Sequence, residues 1–184
     1  MIEKAIETEQ KYLQRHLMGE DVVLDLSEYG YKNLDEYFAD KRDYQLKHCN
    51  IKIYETIMDG IGERVESAIE NKIPSIWIPT ADSTFVWHGN EPIDFALCEE
   101  LGVHVYDMNY NGGTIVSGED DLSFLIIVPE TIDIDTSYIR KRLYNVMLKY
   151  FNDVVISGND ILINGMKVLG SMNRRVNGMY IFAC

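Results

Sequence analysis

Apolar residues change their spacing along this chain near residue 75. Before it, Ile53, Ile57, Ile61, Val65 and Ile69 recur at four-residue intervals, which predicts a helix over 51–70. Gly60 and Gly62 weaken its middle, and Pro74 closes the region. Leu34, Phe38 and Leu46, set among charges, predict a helix over 34–48, and "VVLDL" at 22–26 predicts a short strand.

From residue 75 the pattern shortens. "SIWI" is an apolar run that stops at Pro79, and "STFVW" follows a short polar turn. "PIDFALCEEL" (92–101) predicts a helix with proline near its first turn. "VHVYDM" and "GTIVSG" alternate, and "LSFLIIVP" has the continuous apolar character of a buried strand. Tyr138, Ile139, Leu143, Val146, Met147 and Tyr150 predict an amphipathic helix over 136–151. The remainder breaks into short strands. Asn-Gly occurs at 111–112, 164–165 and 177–178, and this pair supplies the positive φ angles of a type I′ hairpin turn. The fold class that follows is α+β: a mixed, mainly antiparallel sheet from residues near 75–88, 103–128 and 154–182, flanked by helices. Residues 1–73 are expected to form an N-terminal strand and helical extension, and 74–184 the core, within one compact domain.

Charge narrows the function classes. With 30 Asp+Glu against 17 Lys+Arg, the chain lacks the basic surface that phosphate backbones require, so no nucleic-acid partner is expected. Arg140, Lys141, Arg142, Arg174 and Arg175 are expected on solvated faces. No run is apolar enough to span a membrane, and "MIEKAIETEQKYLQRH" has no apolar segment of a secretory signal. Cys49, Cys98 and Cys184 show no CxxC spacing and the histidines no HxxxH pair, so neither a disulfide framework nor a zinc site is expected, and the location is expected to be cytoplasmic.

"NYNGGTIVSG" (109–118) holds more glycine than a hairpin turn needs. A second glycine, Gly113, costs chain entropy unless its missing side chain is used, for instance by a ligand approaching the backbone. Lys167 stands alone in the apolar strand that follows Asn164-Gly165, and period-two alternation groups it with Gly165 and Leu169. Such a lysine is readily explained if it faces an anion.

Three motifs in order resemble the lipoate/biotin protein ligase and octanoyltransferase superfamily, with the lipoate ligase branch fitting best. They are Gly112–Gly113–Thr114–Ile115–Val116 leading into an apolar strand, Asn159–Asp160 opening the next, and the hairpin Gly165–Met166–Lys167–Val168–Leu169–Gly170. "IPTADSTFVW" is similar to the strand-loop-strand that lines the family's acyl pocket, and the likeness covers about residues 74–182. It implies a class II synthetase-like fold and the ATP-dependent joining of a lipoate-like acid to a carrier-domain lysine through an acyl-adenylate. It also implies site roles: Lys167 for catalysis; Asn111, Gly112, Gly113, Thr114, Val116, Gly170 and Ser171 around the ligand; Trp77 and Ile78 as apolar wall; and Asn159 and Asp160 as nucleotide or Mg²⁺ contacts.

The sequence departs from the family in three places. Tyr106–Asp107–Met108–Asn109 stands where an Arg pair is usual, Asn111 and Ser117 stand where a small residue before Gly-Gly and a His after it are usual, and "GEDDL" adds three acids. Cys98 and Cys184 have no context that activates a thiol, which disfavours the octanoyltransferase branch. Three readings follow: an active ligase with substituted phosphate contacts, a catalytically inactive ligase-fold protein that binds an acyl or nucleotide ligand, and an interaction protein that uses only the scaffold.

Overall fold

The computed structural model describes residues 1–57, 60–80, 83–107 (Asp107 by its backbone), 113–132, 134–158 and 160–184. These fall into two compact units, Met1–Asn50 and Ile51–Cys184.

The first unit holds α1 (Ile2–Leu17), an extended segment, a single 3-10 turn at Ser27–Tyr29, and α2 (Leu34–His48). Asn33 caps α2 by accepting from the Glu36 amide, and the Glu36 carboxylate accepts from the Lys32 amide at 3.0 Å. Ala5, Leu26 and Tyr37 form the small core, with Ile2, Ile6 and Leu24 against it. The predicted strand at 22–26 is not one. Its leucines pack inward, but no described segment pairs with its backbone. Helix α1 was absent from the sequence prediction because Glu9 interrupts its apolar stripe. Glu9 is nevertheless buried, accepting from the Tyr37 hydroxyl at 2.8 Å and pairing with Lys41.

The second unit is α+β. Its main sheet runs β1 (Lys52–Ile57), β2 (Ser75–Thr80), β6 (Leu125–Pro129), β11 (Met179–Ala183), β10 (Met172–Val176). Only β1 and β2 are parallel in it. A second sheet places β3 (Phe85–His88) between β4 (His104–Asp107) and β5 (Ile115–Ser117), parallel to β4 and antiparallel to β5. A third is the antiparallel meander β7 (Val154–Ser157), β8 (Asp160–Ile163), β9 (Met166–Leu169). The mainly antiparallel character holds, but the strands form three sheets rather than one.

Alternation organises the core. Leu125, Ile127, Met179, Ile181 and Ala183 share one face of the main sheet with Trp77. They bury against Ile61, Val65, Ala68 and Ile69 of α3 (Ile61–Glu70) and against Phe85 and Trp87. The intervening Val128, Tyr180 and Phe182 are buried too, and Tyr180 bonds through its hydroxyl to Thr136 at the start of α5 (Thr136–Met147).

Residues 51–57 correct the predicted helix over 51–70. Four is also a multiple of two, so Ile53 and Ile57 share one strand face as readily as one helix face. They lie on β1 and are exposed, whereas Ile61, Val65 and Ile69 are the buried stripe of α3. Both elements thus belong to the second unit rather than to an N-terminal extension. Strand β2 runs through Pro79 instead of stopping there. Its pairing with β6 ends at Trp77, so the missing proline N–H falls where only β1 flanks the strand. The helix expected over 92–101 is α4 (Phe95–Glu100), started by Asp94, whose carboxylate accepts from the Leu97 amide at 3.0 Å; Pro92 lies outside it.

Two of the three Asn-Gly turns are as predicted: Asn164 and Gly165 have φ of 51° and 77°, and Asn177 and Gly178 have 52° and 74°. The pair at 111–112 lies outside the described residues. Replacing Gly165 or Gly178 with alanine forces a Cβ into the left-handed region. Each change is expected to lower unfolding free energy by about 1–2 kcal/mol in denaturant titration, additively because the turns lie on different sheets.

Candidate functional site

The hairpin β8–β9 presents the lysine. Lys167 opposes Leu162, and its Nζ lies 3.0 Å from Asp160 Oδ1, with the two side chains 54% and 33% exposed. Leu162 pairs with Lys167 while its neighbour Ile161 pairs with Leu169, leaving Val168 unopposed as a β-bulge. A bulge bends its strand and re-aims side chains, so the expected grouping of Lys167 with Leu169 on one face does not carry across it.

Gly170 explains where the lysine rests. A Cβ built there would lie 3.1 Å from Lys167 Cε, 3.3 Å from its Nζ and 3.6 Å from Ile115 Cγ1. The lysine stem therefore crosses the bare backbone of Gly170, beside the first residue of β5. The strand that follows the glycine pair and the lysine hairpin converge at this one point. Ser171 is buried and leads into Met172 of the core.

Asn111 and Gly112, like Asn159, lie outside the described residues. Gly113 and Thr114 carry the rest of the glycine run, and an acid occupies them. The Thr114 amide donates to Glu91 Oε2 at 3.1 Å, and the Thr114 hydroxyl donates to the Glu91 carbonyl at 3.3 Å. The Gly89 amide donates to Thr114 Oγ1, and His88 Nε2 meets the Glu91 carbonyl at 3.1 Å. A Cβ on Gly113 would lie 3.4–3.5 Å from three carboxylate atoms of Glu91. The bare backbone of Gly113 is thus flanked on one side by a carboxylate of the same protein. Val116, expected beside the ligand, is 66% exposed, whereas Ile115 packs on the core and meets Gly170. The two are neighbours on a strand and point to opposite faces.

The proposed apolar wall divides for the same reason. Trp77 is 7% exposed, stacks on Tyr54 at 4.3 Å, and donates its indole N–H to Ser75 Oγ at 2.9 Å. It borders a cleft of about 360 Å³ with Tyr54, Arg64, Ser67 and Ile73, and neither the hairpin nor the glycine run lines that cleft. Ile78 is half-buried on the other face of β2.

Charged groups around the site are largely committed. Asp121 accepts from the Gly118 amide at 2.8 Å, so this acid of "GEDDL" holds a turn. Ser117, at the position of the family's histidine, is buried against Ser123 Oγ at 3.2 Å. Arg140 and Arg174 correct the expectation of solvated basic faces. Arg140 is 7% exposed on α5 and donates from Nη1 to the carbonyl of Gly158, fastening the β7–β8 turn that leads to Asp160. Arg174 pairs with Glu66 of α3. Burial pushes the Cys184 thiol well above the usual range, which agrees with its dismissal as a nucleophile.

For Mg²⁺, Asp160 offers one carboxylate, the smallest protein share that suits a phosphate-borne magnesium ion. Among the described residues no group of three or more His, Cys, Asp or Glu could hold a metal without such help. Sequence reasoning missed Glu91 and the part played by Arg140, and it set Ile115 in the glycine motif without giving its side chain a role. Glu91 lies in "HGNEP", an ordinary turn composition, and its partner Thr114 is 23 residues away.

Neither a protein-family model nor a curated protein sequence matches this chain. Solved structures do. LipL1 of P. falciparum in complex with lipoate superposes with a TM-score of 0.58 at 15% identity, over 72% of this chain and 46% of that one. Lipoate-protein ligase A bound with ATP gives 0.54 at 13% identity, over 72% and 64%. Ta0514, a putative lipoate protein ligase from T. acidophilum with bound lipoic acid, gives 0.51 at 15% identity, over 72% and 65%. The chain thus matches less than two thirds of the length of each. Independent of any shared residue, the path of the backbone identifies the scaffold: this chain has the fold of the lipoate–protein ligases.

Proposed function

We propose that this protein activates a lipoate-like carboxylic acid with ATP and passes the acyl group to a lysine of a carrier domain. The observation that carries this reading is the meeting of Lys167, Gly170 and β5 at one point. A cation there stands beside the strand whose preceding glycines can expose backbone N–H groups, an arrangement suited to an acyl carbonyl and a phosphate together. Among the solved relatives of this fold, one was determined with ATP, others with lipoate or lipoic acid, and one study pairs its ligase with an E2 lipoyl domain.

In the proposed chemistry a carboxylate oxygen of the acid attacks the α-phosphorus of ATP, the bond to the bridging oxygen breaks, and pyrophosphate leaves. The carrier lysine amine then attacks the acyl carbon, the bond to AMP breaks, and the surplus proton passes from nitrogen to water. Lys167 stabilises the charge that grows on the carbonyl oxygen and on the phosphate. Asp160 holds Lys167 before the ligand arrives, and it is the carboxylate that, with Asn159, would hold a Mg²⁺ ion to share the phosphate charge. No cysteine takes part.

A second reading is an inactive ligase-fold protein that binds an acyl or nucleotide ligand. What favours it is that Asp160 neutralises Lys167 and Glu91 takes the Thr114 amide.

Acid-dependent release of pyrophosphate from ATP/Mg²⁺ separates the two. Lipoate, octanoate and biotin are to be tried as acids. The ligase reading expects release with at least one acid and a loss of about 10²–10³ in rate for Lys167→Met. Release that survives this change intact removes Lys167 from the mechanism. No release with any acid, together with calorimetric binding of lipoyl-adenylate, establishes the second reading instead.

Gly170→Ala tests the same geometry without touching a charge. The atoms nearest the new Cβ are the end of the flexible Lys167 side chain and an Ile115 methylene, so the hairpin should fold with stability changed by less than about 1 kcal/mol. The ammonium must give way by a few tenths of an ångström, and the rate should fall severalfold. Undiminished release would show that the resting place of Lys167 does not matter.

A further inference from the structure

The glycine run is already engaged, and by a group of the ligand's own charge. Glu91 Oε2 accepts the Thr114 amide at 3.1 Å, and its carboxylate lies over the bare backbone of Gly113. Its main chain is tied to the same place: the Glu91 carbonyl accepts from the Thr114 hydroxyl and meets His88 Nε2, and the Gly89 amide donates to Thr114 Oγ1. The side chain itself is exposed, so little packing restrains the carboxylate there.

We propose that Glu91 is a specificity-determining residue: its carboxylate stands in for a ligand oxygen on the glycine run, and an anionic ligand binds by displacing it. This rests on the reading of Gly113 and Thr114 as ligand contacts. One backbone donor cannot serve both anions, and a retained carboxylate repels an incoming carboxylate or phosphate as a like charge. The anchored main chain of Glu91 lets the side chain swing out while the 88–91 turn and β5 remain joined. The site thereby rejects stray anions and keeps those that bring enough other contacts to evict Glu91.

The test uses the ¹⁵N-labelled full chain as wild type, Glu91→Gln and Glu91→Ala. Pyrophosphate and lipoate are titrated separately, and the Thr114 amide resonance and calorimetric affinity are followed. Glu91→Gln keeps an oxygen acceptor and the side-chain length while removing the charge; Glu91→Ala removes the acceptor. Without ligand, the Thr114 amide proton should move upfield in Glu91→Ala, with the rest of the spectrum in place. At least one probe should bind about tenfold more tightly to both variants than to wild type and should shift Thr114. A gain with pyrophosphate alone assigns the contact to phosphate, and a gain with lipoate alone assigns it to the acid. Should Glu91→Ala not fold, Glu91→Gln carries the comparison. Equal or weaker binding in the variants overturns the proposal, as does a Thr114 amide that no probe moves in any of the three proteins. Loss of the ligase reading would show differently, as no release of pyrophosphate from ATP/Mg²⁺ with any acid.

Discussion

Burial of β6 and β11 on both of their faces is the constraint from which the second unit follows. Leu125, Ile127, Met179, Ile181 and Ala183 must be covered on one side, and Val128, Tyr180 and Phe182 on the other. Each such large side chain withdrawn from water contributes roughly 1.5–3 kcal/mol. Helix α3 and the sheet of β3 answer the first demand, and α5, bonded through Thr136 to Tyr180, lies toward the second. Layers on both faces then leave the strand ends and connecting turns as the places where polar chemistry can gather, as in other sheets closed between layers.

The site is built at such places, and its own interactions are weak. The Lys167–Asp160 pair is half in water, where an ion pair is worth no more than about 1 kcal/mol. The Glu91 contact to Thr114 is exposed as well. Neither stabilises the fold appreciably beside the core, so both can be broken at small cost. What holds the geometry is indirect. Gly170 gives the lysine stem a place to lie, the bulge at Val168 turns the strand, and buried Arg140 fastens the turn before Asp160. Rigidity comes from packing and backbone, and the charged groups are left free to exchange partners.

Charge balance distinguishes this chain from a plain phosphate binder. A net charge of −13 leaves few cations to spare, and three of them are committed: Arg174 to Glu66, Arg140 to Gly158, Lys167 to Asp160. In the proposed reading, anion recognition falls to backbone N–H groups and Lys167, and Glu91 competes for one of those donors.

The sequence by itself determined whatever depends on neighbours in the chain. Asn164-Gly165 and Asn177-Gly178 turn because those residues accept positive φ, and "LIIVP" is a central strand because apolar residues run on without alternation. The three ordered motifs were enough to name the fold. Where two periods coincide, sequence could not choose: Ile53 and Ile57 suit a strand and a helix alike, and pairing with β2 decided. The N-terminal helix stayed hidden because its buried Glu9 is polar by type and satisfied only by Tyr37 and Lys41 of another helix. Site residues divided in the same way. That Lys167 and the glycine run stand out was legible in composition and order. That Ile115 rather than Val116 meets Gly170, that Trp77 and Ile78 face apart, and that Glu91 sits on Thr114 were decided by tertiary structure. Those contacts join segments far apart in the chain, and their energies exist only once burial of the sheet has brought the segments together.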